Sequence, residues 1–322
     1  MEPVKIHAND GIDSSALHLL EKKGYKVSTD KLSSEQLPVF LQKEKIQVLI
    51  VRSATQVRKD LMDACPELKI IARAGVGTDN IDVDYAKSKG IEVINTPAAS
   101  SRSVAELVMA HLFSVFRYLH LSHREMPLQG QKNFNELKKK YSAGREVFGK
   151  TIGIIGFGRI GQQVASMALG LGMKVIASDP FVTAADIEIP VYGLKPSPKV
   201  EIKTIPLQEL FPQSDIITLH VPGSKLIGEK EILQMKKGVV IINASRGGVV
   251  DEIALLNALR SGQVSHACLD VFENEPYPDE SIIQHERISA SPHIGASTIE
   301  AQERIGVELA GKIIDILQKK HA

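Results

Sequence analysis

The sequence predicts an α/β protein built on two doubly wound parallel sheets, and three observations carry that prediction. Short runs of consecutive Val and Ile recur along the chain, the pattern of strands buried on both faces in parallel sheets. These runs alternate with helical stretches, as crossover connections between parallel strands require. At 322 residues the chain is long enough for two domains, each with its own core.

Taken in order, residues 4–8, 47–51, 69–72 and 91–94 read as strands, and 14–23 and 83–89 as helices. Ser103-Val-Ala-Glu106 has capping-box spacing and precedes a long apolar helix from 107 to about 121. A polar, basic stretch covers 129–145. A second series then offers strands at 151–155, 174–178, 215–220, 239–243, 266–270 and 287–290, the number in a dinucleotide-binding sheet. Residues 181–204, rich in Pro and Ile, fit neither period and are expected to be an irregular surface excursion. The last helix opens with a second capping box, Ser297-Thr-Ile-Glu300, and carries Ile305, Leu309, Ile313 and Leu317 on one face. It is expected to return to the first series, giving a discontinuous domain of residues 1–98 plus 293–322 around a domain of residues 99–292.

Composition narrows the function. Lys and Arg total 39 against 38 Asp and Glu, a net charge of +1, which excludes a generally basic surface for nucleic acid. No apolar run reaches about 18 residues, and the start MEPVKIHAND lacks a leader's basic and apolar regions, so neither membrane nor export is expected. Cys65 and Cys268 are the only cysteines, too few for a disulfide framework and without metal-site spacing. A cytoplasmic protein without a metal is the expectation.

Gly156-Phe-Gly158-Arg159-Ile160-Gly161 is a G-x-G-x-x-G set between the strand at 151–155 and a helix with Ile160, Val164 and Ala168 on one face; Asp179 ends the next strand, 23 residues after Gly156. This context marks a dinucleotide site: Gly156 for the tight turn, Gly158 for approach of a pyrophosphate, Gly161 for close helix–strand packing. The helix N-terminus faces the phosphates. Asp179 can accept from both ribose hydroxyls of an adenosine and repels a 2′-phosphate, which selects NAD over NADP.

Further on come Asn243-Ala244-Ser245-Arg246-Gly-Gly-Val-Val-Asp251, Leu269-Asp270-Val-Phe-Glu-Asn-Glu275-Pro276 and Ser291-Pro292-His293-Ile-Gly295-Ala296. With Val51-Arg52-Ser53-Ala and Arg73-Ala-Gly75-Val76-Gly77-Thr-Asp-Asn80, these segments resemble the NAD-dependent D-2-hydroxyacid dehydrogenases over nearly the whole chain. The resemblance implies a Rossmann nucleotide-binding domain inserted into a flavodoxin-like substrate domain. It also implies a catalytic triad of Arg246, Glu275 and His293, and further cofactor contacts at His220, Val221, Pro222, Ala244, Ser245, Arg246, Asp270, His293, Gly295 and Ala296. Asp270 matches the family's carboxylate that faces the nicotinamide carboxamide, and the family suggests a homodimer.

The chemistry suits these residues on its own terms. Histidine titrates near neutrality and can move the hydroxyl proton while hydride leaves C2. A carboxylate on its other nitrogen fixes the tautomer. An arginine fork grips the substrate carboxylate. Asp251 is read as a helix cap. Arg52 and Arg73 each follow a strand and exceed what one carboxylate needs, so a phosphate is the natural second anion. Ser53 accompanies Arg52, and the N–H groups of Gly75, Val76 and Gly77 are read as an anion nest. The expected partner is thus a small 2-hydroxy or 2-oxo acid carrying a phosphate. An unphosphorylated glyoxylate- or hydroxypyruvate-type acid, or an NAD-sensing corepressor-like role on the same fold, are the alternatives. Because the chain stops soon after its last helix, no appended regulatory module is expected.

Overall fold

The structure, a computed structural model, describes residues 3–223 and 225–319. The extreme ends of the expected first domain, and Ser224, lie outside the described residues. The chain forms two compact units, Met1–Ser101 with Ala296–Ala322, and Arg102–Gly295. The expected boundaries at 98/99 and 292/293 therefore move to 101/102 and 295/296. The physical reason is local: Asp270, at the end of a strand of the second unit, binds the Ile294 and Gly295 N–H groups at 2.8 Å each and keeps that peptide in its own unit.

The first unit holds β1 (Lys5–Ala8), α1 (Ser14–Lys22), β2 (Lys26–Ser28), α2 (Gln36–Glu44), β3 (Val48–Val51), α3 (Lys59–Asp63), β4 (Ile70–Arg73), α4 (Val83–Ser88) and β5 (Glu92–Asn95). Its parallel sheet runs β2-β1-β3-β4-β5, a doubly wound order of the flavodoxin-like type. All four residues of β3 are buried, which is why it reads as an unbroken apolar run. Strand β2 and helices α2 and α3 escape the sequence pattern. β2 is three residues with one apolar side chain, and α2 carries Pro38 in its first turn with only Leu37 and Leu41 buried. The C-terminal helix (Ile299–Lys319) packs here, burying Ala301, Ile305, Leu309, Ile313 and Leu317. Each fully buried large aliphatic side chain contributes about 1.5–3 kcal/mol. Its cap is Thr298 rather than Ser297, since Thr298 Oγ1 accepts from Ala301 N at 3.2 Å.

The second unit opens with α5 (Ser101–Phe116) and α6 (Leu119–Lys140). α5 begins at Ser101, before the expected capping box; Ser103 instead donates its hydroxyl to Gly295 O at 2.6 Å, and Glu106 pairs with Arg102. It also ends earlier than 121, because Tyr118 sits in the left-handed region (φ 54) and turns the chain by 60° into α6. The polar stretch expected from 129 is thus helical as far as Lys140. Only Gly130 and Leu137 are buried in α6, too few for a legible apolar face. Among the described residues no single helix is long and apolar enough to cross a membrane.

There follow β6 (Thr151–Ile155), α7 (Arg159–Gly170), β7 (Lys174–Ser178), β8 (Ala184–Glu188), β9 (Lys199–Lys203), α8 (Leu207–Leu210), β10 (Ile216–Leu219), α9 (Glu229–Ile232), β11 (Val239–Asn243), α10 (Glu252–Ser261), β12 (Val264–Leu269), α11 (Glu280–Ile283) and β13 (Ile288–Ala290). The six-stranded parallel sheet runs β13-β12-β11-β10-β6-β7. Its order reverses between β6 and β10, so their C-terminal ends form the switch point where such sheets bind ligands. Residues 181–204 are not irregular. They contain the antiparallel hairpin β8–β9, which sinks Ile187 and Ile202 into the core against α7 and β7. Only one residue, Thr204, makes a parallel bridge to Ala177 of β7, where a six-stranded dinucleotide-binding sheet of order 3-2-1-4-5-6 has its third strand.

Candidate active site

The glycine-rich turn joins β6 to α7. Gly156 has φ +91, and a Cβ on it would stand 2.4 Å from the His220 carbonyl oxygen at the end of β10, so no side chain fits at this switch point. A Cβ on Gly161 would lie 2.2 Å from Gly156 O, whereas one on Gly158 meets nothing within 4 Å. Open space thus stands over Gly158, which caps α7 without a side-chain hydrogen bond, and Arg159 and Ile160 supply first-turn N–H groups with no partner inside their own helix. These residues fit a dinucleotide pyrophosphate.

Asp179 is committed more heavily than its sequence position implies. One oxygen accepts from Phe157 N at 2.7 Å, the other from Phe181 N at 2.8 Å and Val182 N at 3.0 Å. A carboxylate offers about four acceptor positions, so roughly one remains and a bidentate grip on both ribose hydroxyls needs one of these bonds to open. His220 places Nε2 3.0 Å from Thr218 Oγ1, its Nδ1 is buried without a partner, and burial drives its pKa down to about 3. Its ring is therefore neutral near pH 7. Val221 packs on the core and Pro222 is exposed.

At the end of β11 the chain winds around Asn243. Its amide donates to Arg246 O at 2.9 Å, and its carbonyl accepts from Ser245 N at 3.1 Å and Ser245 Oγ at 2.8 Å. This clasp, which the sequence reading did not assign, buries Ala244 and Ser245 and presents Arg246, whose Nη1 donates to Ser245 O at 2.6 Å. After β12, Glu275 accepts from Phe272 N at 3.0 Å with one oxygen and holds His293 Nδ1 at 2.8 Å with the other. Because a carboxylate only accepts, Nδ1 carries the proton and Nε2 is the nitrogen left for substrate. The bond from Glu275 raises the His293 pKa against the pull of burial. Burial pushes Glu275 upward, but hydrogen bonds from His293 and Phe272 outweigh it and hold Glu275 below the usual carboxylate value. His293 adopts φ 54, a conformation rare for a residue with a Cβ and frequent at functional sites.

Asp270 is committed as heavily as Asp179. It is 2% exposed, and its oxygens accept from Ser291 Oγ at 2.6 Å, Ile294 N and Gly295 N. It anchors the loop that carries His293 rather than presenting an open carboxylate. Asp251 caps α10 as expected, accepting from Ala254 N at 3.0 Å.

In the first unit, the register pairs Val51 with Arg73, so Arg52, Ser53 and Arg73 leave the sheet at neighbouring points. Arg52 lines a cavity of about 270 Å³ with Asp10, Asp13 and Gln302; its N–H is held by Asp10 Oδ2 at 2.8 Å. The Arg73 guanidinium folds back to donate to Ala74 O at 2.6 Å and covers Gly75. The expected nest is smaller than three N–H groups, because Gly75 N already donates to Arg73 O at 2.9 Å. Ala296 opens the return to the first unit, its carbonyl held by Gln302 at 2.8 Å.

Residues 109–295 match the family described as D-isomer specific 2-hydroxyacid dehydrogenase, NAD binding domain. The chain belongs to this family. A D-2-hydroxyacid dehydrogenase is an NAD-dependent oxidoreductase. A hydroxypyruvate reductase of Thermotoga maritima is 44% identical over 97% of this dehydrogenase and 98% of that protein. The D-3-phosphoglycerate dehydrogenase of Homo sapiens is 39% identical over 98% of the chain, which spans only 57% of the human protein's length. Among solved structures, NAD+-bound 3-phosphoglycerate dehydrogenase of Entamoeba histolytica superposes with a TM-score of 0.77 at 28% identity, covering 98% of this chain and 96% of that one.

Proposed function

We propose that this dehydrogenase interconverts D-3-phosphoglycerate and 3-phosphohydroxypyruvate, the reaction that opens serine biosynthesis. The observation that carries this reading is the placement of Arg52 and Arg73 at adjoining strand ends of one sheet, a pair of cations suited to a phosphate. A second reading, reduction of hydroxypyruvate itself, is favoured by the Thermotoga maritima relative, which matches along its whole length. The two substrates share a carbon skeleton and differ by the phosphate.

Gly156, Gly158, Arg159, Ile160, Gly161 and Asp179 would hold the nicotinamide cofactor, which would supply the hydride acceptor or donor for C2. Arg246 grips the carboxylate and the oxygen on C2 with its fork. His293 Nε2 delivers the proton to that oxygen during reduction and removes it during oxidation. Glu275 keeps Nδ1 protonated and balances the charge of the imidazolium. Ser53 and the N–H groups of Val76 and Gly77 add neutral donors to the anion contacts of Arg52 and Arg73. The carboxylate of Asp179 disfavours a 2′-phosphate, so NAD is preferred over NADP.

A substrate panel followed by absorbance at 340 nm tests this reading. 3-Phosphohydroxypyruvate is expected to exceed hydroxypyruvate and glyoxylate in kcat/KM, NADH to exceed NADPH, and Arg52→Ala and Arg73→Ala to penalise the phosphorylated acid more. Equal penalties on both acids remove the phosphate site, and no turnover of any oxo acid leaves only the NAD-sensing role. We further propose a homodimer in the cytoplasm. Met126, Leu128 and Phe134 on α6 are exposed apolar side chains for a second copy to cover, and the buried thiols Cys65 and Cys268 suit a reducing compartment. A monomer mass in sedimentation velocity refutes the dimer.

A further inference from the structure

A buried polar row beside the acid–base pair has no part in the chemistry above. His111, on α5, is 6% exposed and lies in a helix whose Val108, Leu112 and Val115 belong to the core. Its Nδ1 is 2.9 Å from Ser289 Oγ and its Nε2 2.8 Å from Ser291 Oγ, while Ser291 Oγ donates to Asp270 Oδ1 at 2.6 Å. A hydroxyl has one proton. With that proton on Asp270, Ser291 accepts from His111, so His111 carries its proton on Nε2 and its Nδ1 accepts from Ser289. Every donor in the row points toward the carboxylate. Burial lowers the His111 pKa against the opposing charge of Asp270, with His120 adding to the fall, which keeps the ring neutral and the row's polarity constant near pH 7.

The row ends on the residues flanking the acid–base histidine. Asp270 receives Ser291 from one side of His293 and the Ile294 and Gly295 N–H groups from the other, and between them His293 is held at φ 54 with Nδ1 on Glu275. We propose that His111 is a positioning residue: by donating to Ser291 it keeps the Ser291–Asp270 clasp closed, and the clasp holds His293 in its left-handed conformation against Glu275. The inference rests on the acid–base reading of His293 and Glu275. The charged groups that face His293 are Glu275, Asp270 and Arg246; those that face His111 are Asp270 and His120.

In the full-length enzyme, His111→Leu removes the donor, while His111→Gln keeps an amide N–H at similar reach. The leucine variant is expected to lose about tenfold in kcat, the scale for losing an orienting partner, with little change in KM for the cofactor. Its pH–kcat profile moves toward lower pH, because a looser loop gives His293 less of the stabilisation from Glu275 and Asp270. The glutamine variant restores both. NMR titration of the His293 ring in cofactor-free protein is expected to show the same displacement, and this readout does not depend on turnover. A leucine variant with wild-type titration overturns the proposal, as does a glutamine variant no better than leucine. If leucine at 111 prevents folding, Ser291→Ala, which removes one hydroxyl from the same row, must displace the His293 titration in the same direction; an unchanged titration overturns the proposal. Failure of the acid–base reading would show separately, as undiminished turnover in a His293 variant.

Discussion

Replacing His293 with asparagine lowers kcat by about 10²–10⁴-fold, the range for removing a general acid–base, and leaves cofactor affinity near that of the native enzyme. Asparagine retains a polar side chain for Glu275 but has no group that exchanges a proton near neutrality. The geometry makes the expectation specific. His293 is tied through Nδ1 to Glu275 at 2.8 Å, so Nε2 is the nitrogen left for substrate, and neither His111 nor His220 is expected to take its place. His111 is locked between two serines, and His220 is driven to about 3. The pH dependence carries a sign as well. Reduction uses the protonated ring, so its rate is full below the His293 pKa and falls as pH rises through it; oxidation uses the neutral ring and gains over the same interval. Since Glu275 raises that pKa above the ordinary 6.5, both limbs lie on the alkaline side of a solvent-exposed histidine. Stopped-flow or steady-state rates with NADH and an oxo acid check the loss. Activity within a few-fold of native, or limbs on the acid side of 6.5, would sink the assignment.

Arg246→Lys is expected to lower kcat/KM for the oxo acid by about 10²–10³-fold, comparable to removing a donor from an oxyanion site. Charge is retained, so what is lost is the planar fork that meets a carboxylate with two parallel bonds. The turn itself survives, because Asn243 holds it through the Arg246 carbonyl and the Ser245 amide and hydroxyl rather than through the side chain at 246. Because the Arg246 guanidinium also donates to Ser245 O, the variant should melt close to, and not above, the native temperature. A loss smaller than about fivefold, with unchanged melting, removes Arg246 from the substrate contacts.

How much of this was legible in the sequence depends on where the information sits. The strands β6, β7 and β11 were readable to the residue because their Val and Ile runs are bounded by Gly, Lys or Asn. The hairpin β8–β9 was not, since each strand sends one large aliphatic side chain inward, Ile187 and Ile202, amid Glu, Lys and Asp. The two capping boxes misled for different reasons: Ser103 already lies inside α5 and has tertiary work to do at Gly295, whereas Ser297 stands one residue ahead of Thr298, the side chain that caps the last helix. The contact between Glu275 and His293, 18 residues apart, follows no local period and was accessible only by resemblance. The clasps made by Asn243, Asp179 and Asp270 were silent because a polar residue at a strand end reads alike whether it faces a ligand or its own backbone.

The single bridge from Thr204 to Ala177 leaves β7 as the outer strand of a six-stranded parallel sheet. An uncovered parallel edge is a template on which another chain can add strands and start aggregation. The β8–β9 hairpin, laid against β7 and α7 with its Lys, Glu and Asp side chains outward, denies that edge to other molecules. The segment read as an irregular excursion in the sequence thus covers the outer edge of the sheet.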